Sequence, residues 1–189
     1  MTKNLDHFLA DIDEAWTLFL DRDGVLNQKL EGDYVKFLSE FDILPGVLEA
    51  LYKLNSRFLH IVVVTNQQGI GKGLMTEESL QRIHSFLYKE VENAHGRMDA
   101  IYFCPHLSEV QCSCRKPNPG MAIRAIQDFP DIDFKKSIII GDSISDMEFG
   151  RNLGMKTVFC ANKSGKSSFI DLHITSLLQF AQLLETYKS

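Results

Sequence analysis

Apolar positions along this chain follow two periods. Short continuous runs lie at Trp16 to Leu20, Leu59 to Val64, Ala100 to Phe103, Ser137 to Ile140 and Lys156 to Cys160. Their length and the polar or glycine-containing turns around them predict buried strands. Between the runs, apolar residues recur at helical spacing. Leu5, Phe8, Leu9 and Ile12 form one face of a helix predicted over 4–13. Val47, Leu48, Leu51 and Leu54 do the same in a helix that begins at Pro45, where a missing N–H costs nothing. Thr76 is placed to cap a third helix with Glu77 and Glu78 in its first turn, and Leu80, Ile83, Phe86, Leu87 and Val91 make its apolar face. Further helices are predicted over 121–129, over 145–153 with Gly154 closing it, and over 176–187. The polar stretch 28–41 reads as a loop or small flap.

Strands that alternate with helices imply right-handed crossovers and a mainly parallel α/β sheet. Such sheets bind ligands outside the carboxyl ends of their strands. Asp21, Thr65, Lys116 and Asp142 all follow predicted strands at that end. The 189 residues carry no repeat, linker or low-complexity tract, so one domain over 1–189 is expected. Apolar content of 44% and charged content of 24% are those of a soluble globular protein. No apolar run approaches the ~20 residues of a membrane span, and the acidic start lacks a signal pattern, so a cytoplasmic protein with no membrane partner is expected. A net charge of −5 argues against a general nucleic-acid binder. An anionic substrate then needs locally concentrated positive charge.

The stretch Phe19-Leu20-Asp21-Arg22-Asp23-Gly24 places two carboxylates at spacing two beside a strand end. Like charges so close call for a cation, and hard oxygen ligands favour Mg²⁺. One carboxylate is then free to attack phosphorus. A solvated Asp-Gly turn is the alternative for this stretch alone. Thr65-Asn66-Gln67 offers a hydroxyl, amides and backbone N–H groups to phosphate oxygens, and Gly69, Gly71 and Gly73 let backbone approach a ligand. Lys116 supplies a compact positive charge, or is simply a solvated lysine. Gly141-Asp142-Ser143-Ile144-Ser145-Asp146 adds two carboxylates, of which Asp146 can equally be a first-turn helix acid.

Three thiols and an imidazole lie within eleven residues at Cys104, His106, Cys112 and Cys114. A Cys₃His set of soft donors points to a closed, structural Zn²⁺ site in a small loop over 104–114. Free loop cysteines beside a stray histidine are the alternative. Cys160, on a predicted strand, reads as core.

In this order along the chain, Asp-x-Asp-Gly, Thr-Asn, Lys and Gly-Asp-x-x-x-Asp resemble the haloacid dehalogenase phosphatase superfamily over about Trp16 to Cys160. The resemblance implies a Rossmann-like sheet with helices on both faces, and Mg²⁺-dependent phosphoryl transfer to aspartate. It makes Asp21 the nucleophile and Asp23 the general acid/base. Thr65 and Lys116 then hold the phosphoryl group, Asp142 binds Mg²⁺ with Asp21 and the Asp23 carbonyl, and Asp146 supports from behind. Asn66, Gln67, Arg115 and Ser143 are the expected substrate-binding residues.

Cys-x-His, Cys-x-Cys-Arg-Lys-Pro, Thr-Asn-Gln-x-Gly and Asp-Arg-Asp-Gly-x-x-Asn resemble the branch that contains D-glycero-D-manno-heptose 1,7-bisphosphate and histidinol-phosphate phosphatases. Lys116-Pro117-Asn118-Pro119-Gly120-Met121 and Gly32-Asp33-Tyr34-Val35 lean toward the heptose enzymes. The short zinc loop is nearer the histidinol enzymes, and Ser143 stands where heptose enzymes often carry lysine. No large cap domain fits between the motifs, so the flap, the 67–73 loop and the zinc loop are expected to enclose a small phosphorylated metabolite, in a monomer. Thr65 to Gly73 also resembles polynucleotide 3′-phosphatases, which the acidic balance and zinc loop disfavour. A non-catalytic, zinc-stabilised module is disfavoured because every catalytic position is filled.

Overall fold

The computed structural model describes residues 2–162 and 167–187. Six parallel strands form one sheet: β1 (Thr17–Leu20), β2 (His60–Asn66), β3 (Ala100–Cys104), β4 (Ser137–Gly141), β5 (Lys156–Cys160) and β6 (Leu172–Ile174). Their spatial order is β3-β2-β1-β4-β5-β6. The chain winds one way from β1 to β3, then returns to the other side of β1 with β4. The strand order therefore reverses beside β1, and a crevice opens there at the carboxyl ends. The helices are α1 (Thr2–Leu9), α2 (Val47–Leu54), α3 (Glu77–Asn93), α4 (Gly120–Asp128), α5 (Ile144–Leu153) and α6 (Leu177–Tyr187).

The strands are mainly apolar because both faces of the sheet are covered. Alternate side chains point to opposite faces. Leu18, Leu20, Ile61, Val63, Ile138 and Ile140 join one cluster with Phe8, Leu51, Leu80 and Phe180 from α1, α2, α3 and α6. Phe19, Val62, Val64 and Ile139 join the other, with Met121 and Ala125 of α4 and Phe149 of α5. This is the expected Rossmann-like architecture with helices on both faces.

The observed helices follow the predicted ones with shifted ends. Thr76 caps α3 as expected, its hydroxyl accepting the Ser79 N–H at 3.1 Å, and Gly154 closes α5. Pro45 falls short of its expected place at a helix start: it precedes α2, and Gly46 is the cap. β6 has no sequence signal of its own, since three residues at a sheet edge show no period. Its pairing with β5 alone identifies it.

Candidate active site

β1 delivers Asp21 to the crevice. The Asp21 N–H continues the ladder to Ile140 O at 2.8 Å, so its carboxylate is fixed relative to both β1 and β4. The chain then turns at Gly24, whose φ is +89°. A Cβ at Gly24 would stand 2.3 Å from Asp142 Oδ2, so the turn requires glycine both for its backbone and for the approach of Asp142. β4 ends at Gly141, and α5 begins at Ile144, with Asp142 and Ser143 between them.

Lys116 is buried among these groups. Its Nζ lies 2.9 Å from Asp21 Oδ1 and 2.6 Å from Asp146 Oδ1, and donates to Val64 O at 2.7 Å. Burial alone would lower its pKa, but the charges of Asp146 and Asp21 outweigh burial and raise it, so the ammonium is permanent. Asp21 moves upward, to about 7, chiefly from burial and then from the charge of Asp146, with Lys116 opposing both.

Asp23 faces a different shell. Arg22, fully buried, donates from Nη2 to both Asp23 oxygens at 2.9 and 3.0 Å. Asn27 Nδ2 and Gln67 Nε2 donate at 2.9 and 2.8 Å. Burial pushes the Asp23 pKa up, but the Arg22 charge and these donors overcome it and hold the carboxyl below its ordinary range. Behind Arg22, His84 Nε2 lies 3.3 Å from Nη1. Burial first, and the Arg22 charge second, depress His84 to about 3, so it is neutral and accepts from the guanidinium. Neither Arg22 nor His84 was singled out from sequence. A buried arginine between two aspartates is indistinguishable there from an exposed one, and His84 lies 62 residues away.

The crevice is lined by Asp21, Asp23, Thr65, Lys116, Asp142 and Arg115, and all four predicted motifs meet in it. Three expected substrate-binding residues have other partners. Asn66 spends its amide on Lys116, accepting its N–H at 3.0 Å and donating to its carbonyl at 3.3 Å. Gln67 is buried and donates to Asp23 and to Thr65 Oγ1, at 2.9 Å in the latter case. Ser143 donates from its hydroxyl to Asp146 Oδ2 at 2.6 Å, and its N–H reaches the same oxygen at 3.0 Å. These contacts tie the side chains to the charged groups, and all three residues also line the crevice. Arg115 differs: its Nη1 is buried without a hydrogen-bond partner at the crevice wall.

Oxygens of Asp21, Asp142 and Asp146 lie within 4.8 Å of one another. Asp142 Oδ1 is buried without a hydrogen-bond partner, while its Oδ2 accepts from Lys29 Nζ at 2.7 Å. An unpaired buried carboxylate oxygen beside two further carboxylates fits a hard divalent cation. Asp146 has one oxygen against Lys116 Nζ and the other accepting from Ser143.

The second cluster also assembles. Cys104 Sγ lies 3.0 Å from Cys114 Sγ and 3.6 Å from Cys112 Sγ, the latter two are 3.6 Å apart, and His106 Nδ1 lies 3.1 Å from Cys114 and 3.5 Å from Cys104. Edges near 3.7 Å are those of a tetrahedron with ~2.3 Å zinc–sulfur bonds, so the soft donor set and its spacing fit Zn²⁺. The four donors come from the end of β3 and the loop after it, and the last of them stands two residues before Lys116.

A family model described as HAD-hydrolase-like matches residues 113–172. A D-glycero-alpha-D-manno-heptose-1,7-bisphosphate 7-phosphatase of Mycobacterium bovis is 41% identical over 170 residues, covering 88% of this chain and 90% of that protein. A D-glycero-beta-D-manno-heptose-1,7-bisphosphate 7-phosphatase of Pasteurella multocida is 35% identical over 155 residues, covering 79% and 82%. The crystal structure of D,D-heptose 1,7-bisphosphate phosphatase from B. bronchiseptica, complexed with magnesium and phosphate, superposes with a TM-score of 0.81 at 30% identity, over 90% of this chain and 98% of that one.

Proposed function

The chain belongs to the haloacid dehalogenase-like hydrolases and is a phosphatase, and on that premise we propose that it removes the 7-phosphate from D-glycero-D-manno-heptose 1,7-bisphosphate with Asp21 as nucleophile. The observation that carries the mechanism is the division of labour between the two aspartates. Asp21 is fixed by β1, β4 and Lys116, while Asp23 has a separate shell of neutral and cationic donors. An Asp21 oxygen attacks phosphorus, and the bond to the sugar oxygen breaks. Asp23 protonates that leaving oxygen. An aspartyl-phosphate remains, and Asp23 then takes a proton from water, which attacks phosphorus and releases inorganic phosphate with Asp21 regenerated. The four donor contacts around Asp23 favour its charged form, ready for the second half. Its acid role in the first half requires that the carboxyl, which lines the crevice, carry a proton when the sugar oxygen leaves.

Lys116 and the Thr65 hydroxyl stabilise the transferring phosphoryl group. Mg²⁺ held by Asp21, Asp142 and the Asp23 carbonyl would neutralise phosphoryl charge when bound. Zn²⁺ on Cys104, His106, Cys112 and Cys114 would order the loop that sets Arg115 and Lys116. Thiols kept for a metal need a reducing compartment, which supports a cytoplasmic enzyme.

The heptose assignment rests on the relatives' names and on Arg115. A guanidinium grips a second phosphate bidentately; Arg115 lines the crevice, and its Nη1 has no hydrogen-bond partner. Histidinol phosphate would bring an amine to the same group. The test is kcat/KM for both heptose bisphosphate anomers and for histidinol phosphate. A preference for heptose bisphosphate, with the alpha anomer ahead as in the 41% identical relative, is expected. A preference for histidinol phosphate overturns the assignment. Arg115→Ala should raise KM for the bisphosphate by about tenfold, the worth of a hydrogen bond to a charged group, and leave a small aryl phosphate nearly untouched.

A further inference from the structure

A hydrogen-bond chain links three loops that are distant in sequence. Gln68 Oε1 accepts the backbone N–H of Ser108 at 2.9 Å, and Gln68 Nε2 donates to Tyr34 Oη at 2.6 Å. The first contact fixes the second. A backbone N–H can only donate, so the amide oxygen must face Ser108 and the NH₂ must face Tyr34. Tyr34 Oη is therefore the acceptor in that contact, and its own proton is left to point elsewhere. Tyr34 and Gln68 both line the crevice that holds Asp21 and Arg115.

The surroundings of Tyr34 suit an anion. Lys72 Nζ stands 5.2 Å from the centre of its ring. Burial raises the pKa of the phenol, yet the Gln68 contact and the positive charges of Lys72 and Arg115 outweigh it and lower the pKa. The ring also rests on the 67–73 loop, where a Cβ at Gly69 would stand 3.1 Å from Tyr34 Cγ. That loop is itself tied to the Cys/His loop, because the Gly71 N–H donates to Pro105 O at 2.9 Å and a Cβ there would clash with the same oxygen at 2.7 Å.

We infer that Tyr34 is a specificity-determining residue, donating its hydroxyl proton to the anionic group of the substrate that is not being transferred, and that Gln68 is the positioning residue that turns the hydroxyl to this task. The transferred phosphate is served by Lys116 and Thr65 at the floor of the crevice. A second phosphate has Arg115 for charge and Tyr34 for a directed neutral donor. The flap thus contributes to specificity through one side chain whose orientation is dictated from the Cys/His loop. The inference rests on the bisphosphate reading for its substrate and on the hydrogen-bond chain for its geometry.

Tyr34→Phe and Gln68→Leu should each raise KM for heptose 1,7-bisphosphate by about tenfold, the scale of one well-placed hydrogen bond or two. kcat, and kcat/KM for p-nitrophenyl phosphate, should stay within about twofold, since that substrate has no second anionic group. The double variant should cost no more than either single, because both break one chain. Hydrogen exchange over 28–37 should quicken in Gln68→Leu, although the change lies outside that segment. Equal losses on both substrates, or additive losses in the double variant, would overturn the inference, as would unchanged flap exchange in Gln68→Leu. Failure of the wild type on heptose bisphosphate would instead count against the substrate assignment, and the exchange measurement is independent of it.

Discussion

At the scale of single residues, this site is a problem of charge placed in little water. Asp21, Asp142 and Asp146 bring three negative charges together, and Lys116 sits between two of them. Asp21 carries the consequence. Its pKa of about 7 in the folded chain lies above the ordinary 3.8, so the native state holds a proton that the unfolded state has given up. The stability linked to Asp21 is therefore intact below about pH 4 and is lost progressively as pH rises toward 7. With metal removed, Asp21→Asn should erase this part of the slope. Its stability relative to wild type should grow between pH 4 and 7, as read by urea midpoints. A constant difference across that range would show that Asp21 titrates normally. The same substitution should lower phosphatase turnover at least about a thousandfold, because the attacking charge is gone while the shape remains. Near wild-type phosphate release would sink the nucleophile assignment.

At the scale of elements, catalysis depends on how strand ends meet. The Gly24 turn illustrates this. It carries the chain away from Asp21 with φ at +89° and leaves room for Asp142 arriving from β4. Gly24→Ala should cost about 1–3 kcal/mol of stability from backbone strain. It should also weaken Mg²⁺ binding, since the new methyl meets Asp142 Oδ2. Denaturation midpoints and a magnesium titration check the two effects, and a variant that loses stability but keeps its magnesium affinity would show that Asp142 has room to move. The start of α5 works in the same way. Ser143 begins the helix while its N–H and hydroxyl hold Asp146 toward Lys116. A serine expected from sequence to bind substrate thus caps a helix and sets the electrostatics of the floor.

At the scale of the whole molecule, a sheet with both faces buried presents one rim where four strand ends supply the chemistry. No large domain closes over that rim among the described residues, and the loops at 28–37, 67–73 and 104–114 stand around it, joined through Tyr34, Gln68 and Ser108. The Cys/His loop connects β3 to the segment that carries Lys116 and then α4. Removal of Zn²⁺ by a thiol-compatible chelator should lower the thermal midpoint, because a metal bound only by the folded loop stabilises by mass action. It should also reduce turnover by displacing Lys116. An unchanged midpoint in a preparation from which zinc has been shown to leave would assign the thiols another role.

Much of this was legible in the sequence. Five buried strands, the order of the motifs and the aspartates at the strand ends could be read because each depends on residues close together in the chain: an apolar run, a turn, a capping threonine. The Cys₃His cluster was equally local, with its donors within eleven residues. The sheet order, the edge strand β6 and the partners of each polar side chain depend on tertiary contact. Asn66, Gln67 and Ser143 carry groups able to bind phosphate and line the crevice, but their contacts with Lys116, Asp23 and Asp146 appear only in the folded chain. Arg22 and His84, 62 positions apart, meet only when α3 packs against the sheet. The direction of the Tyr34 hydroxyl depends on a backbone N–H 74 residues further on, at Ser108. Sequence determined which chemical groups the rim would carry, because strand ends are set locally. The tertiary structure decided which of them face the substrate, because hydrogen bonds form with whatever packing brings within reach.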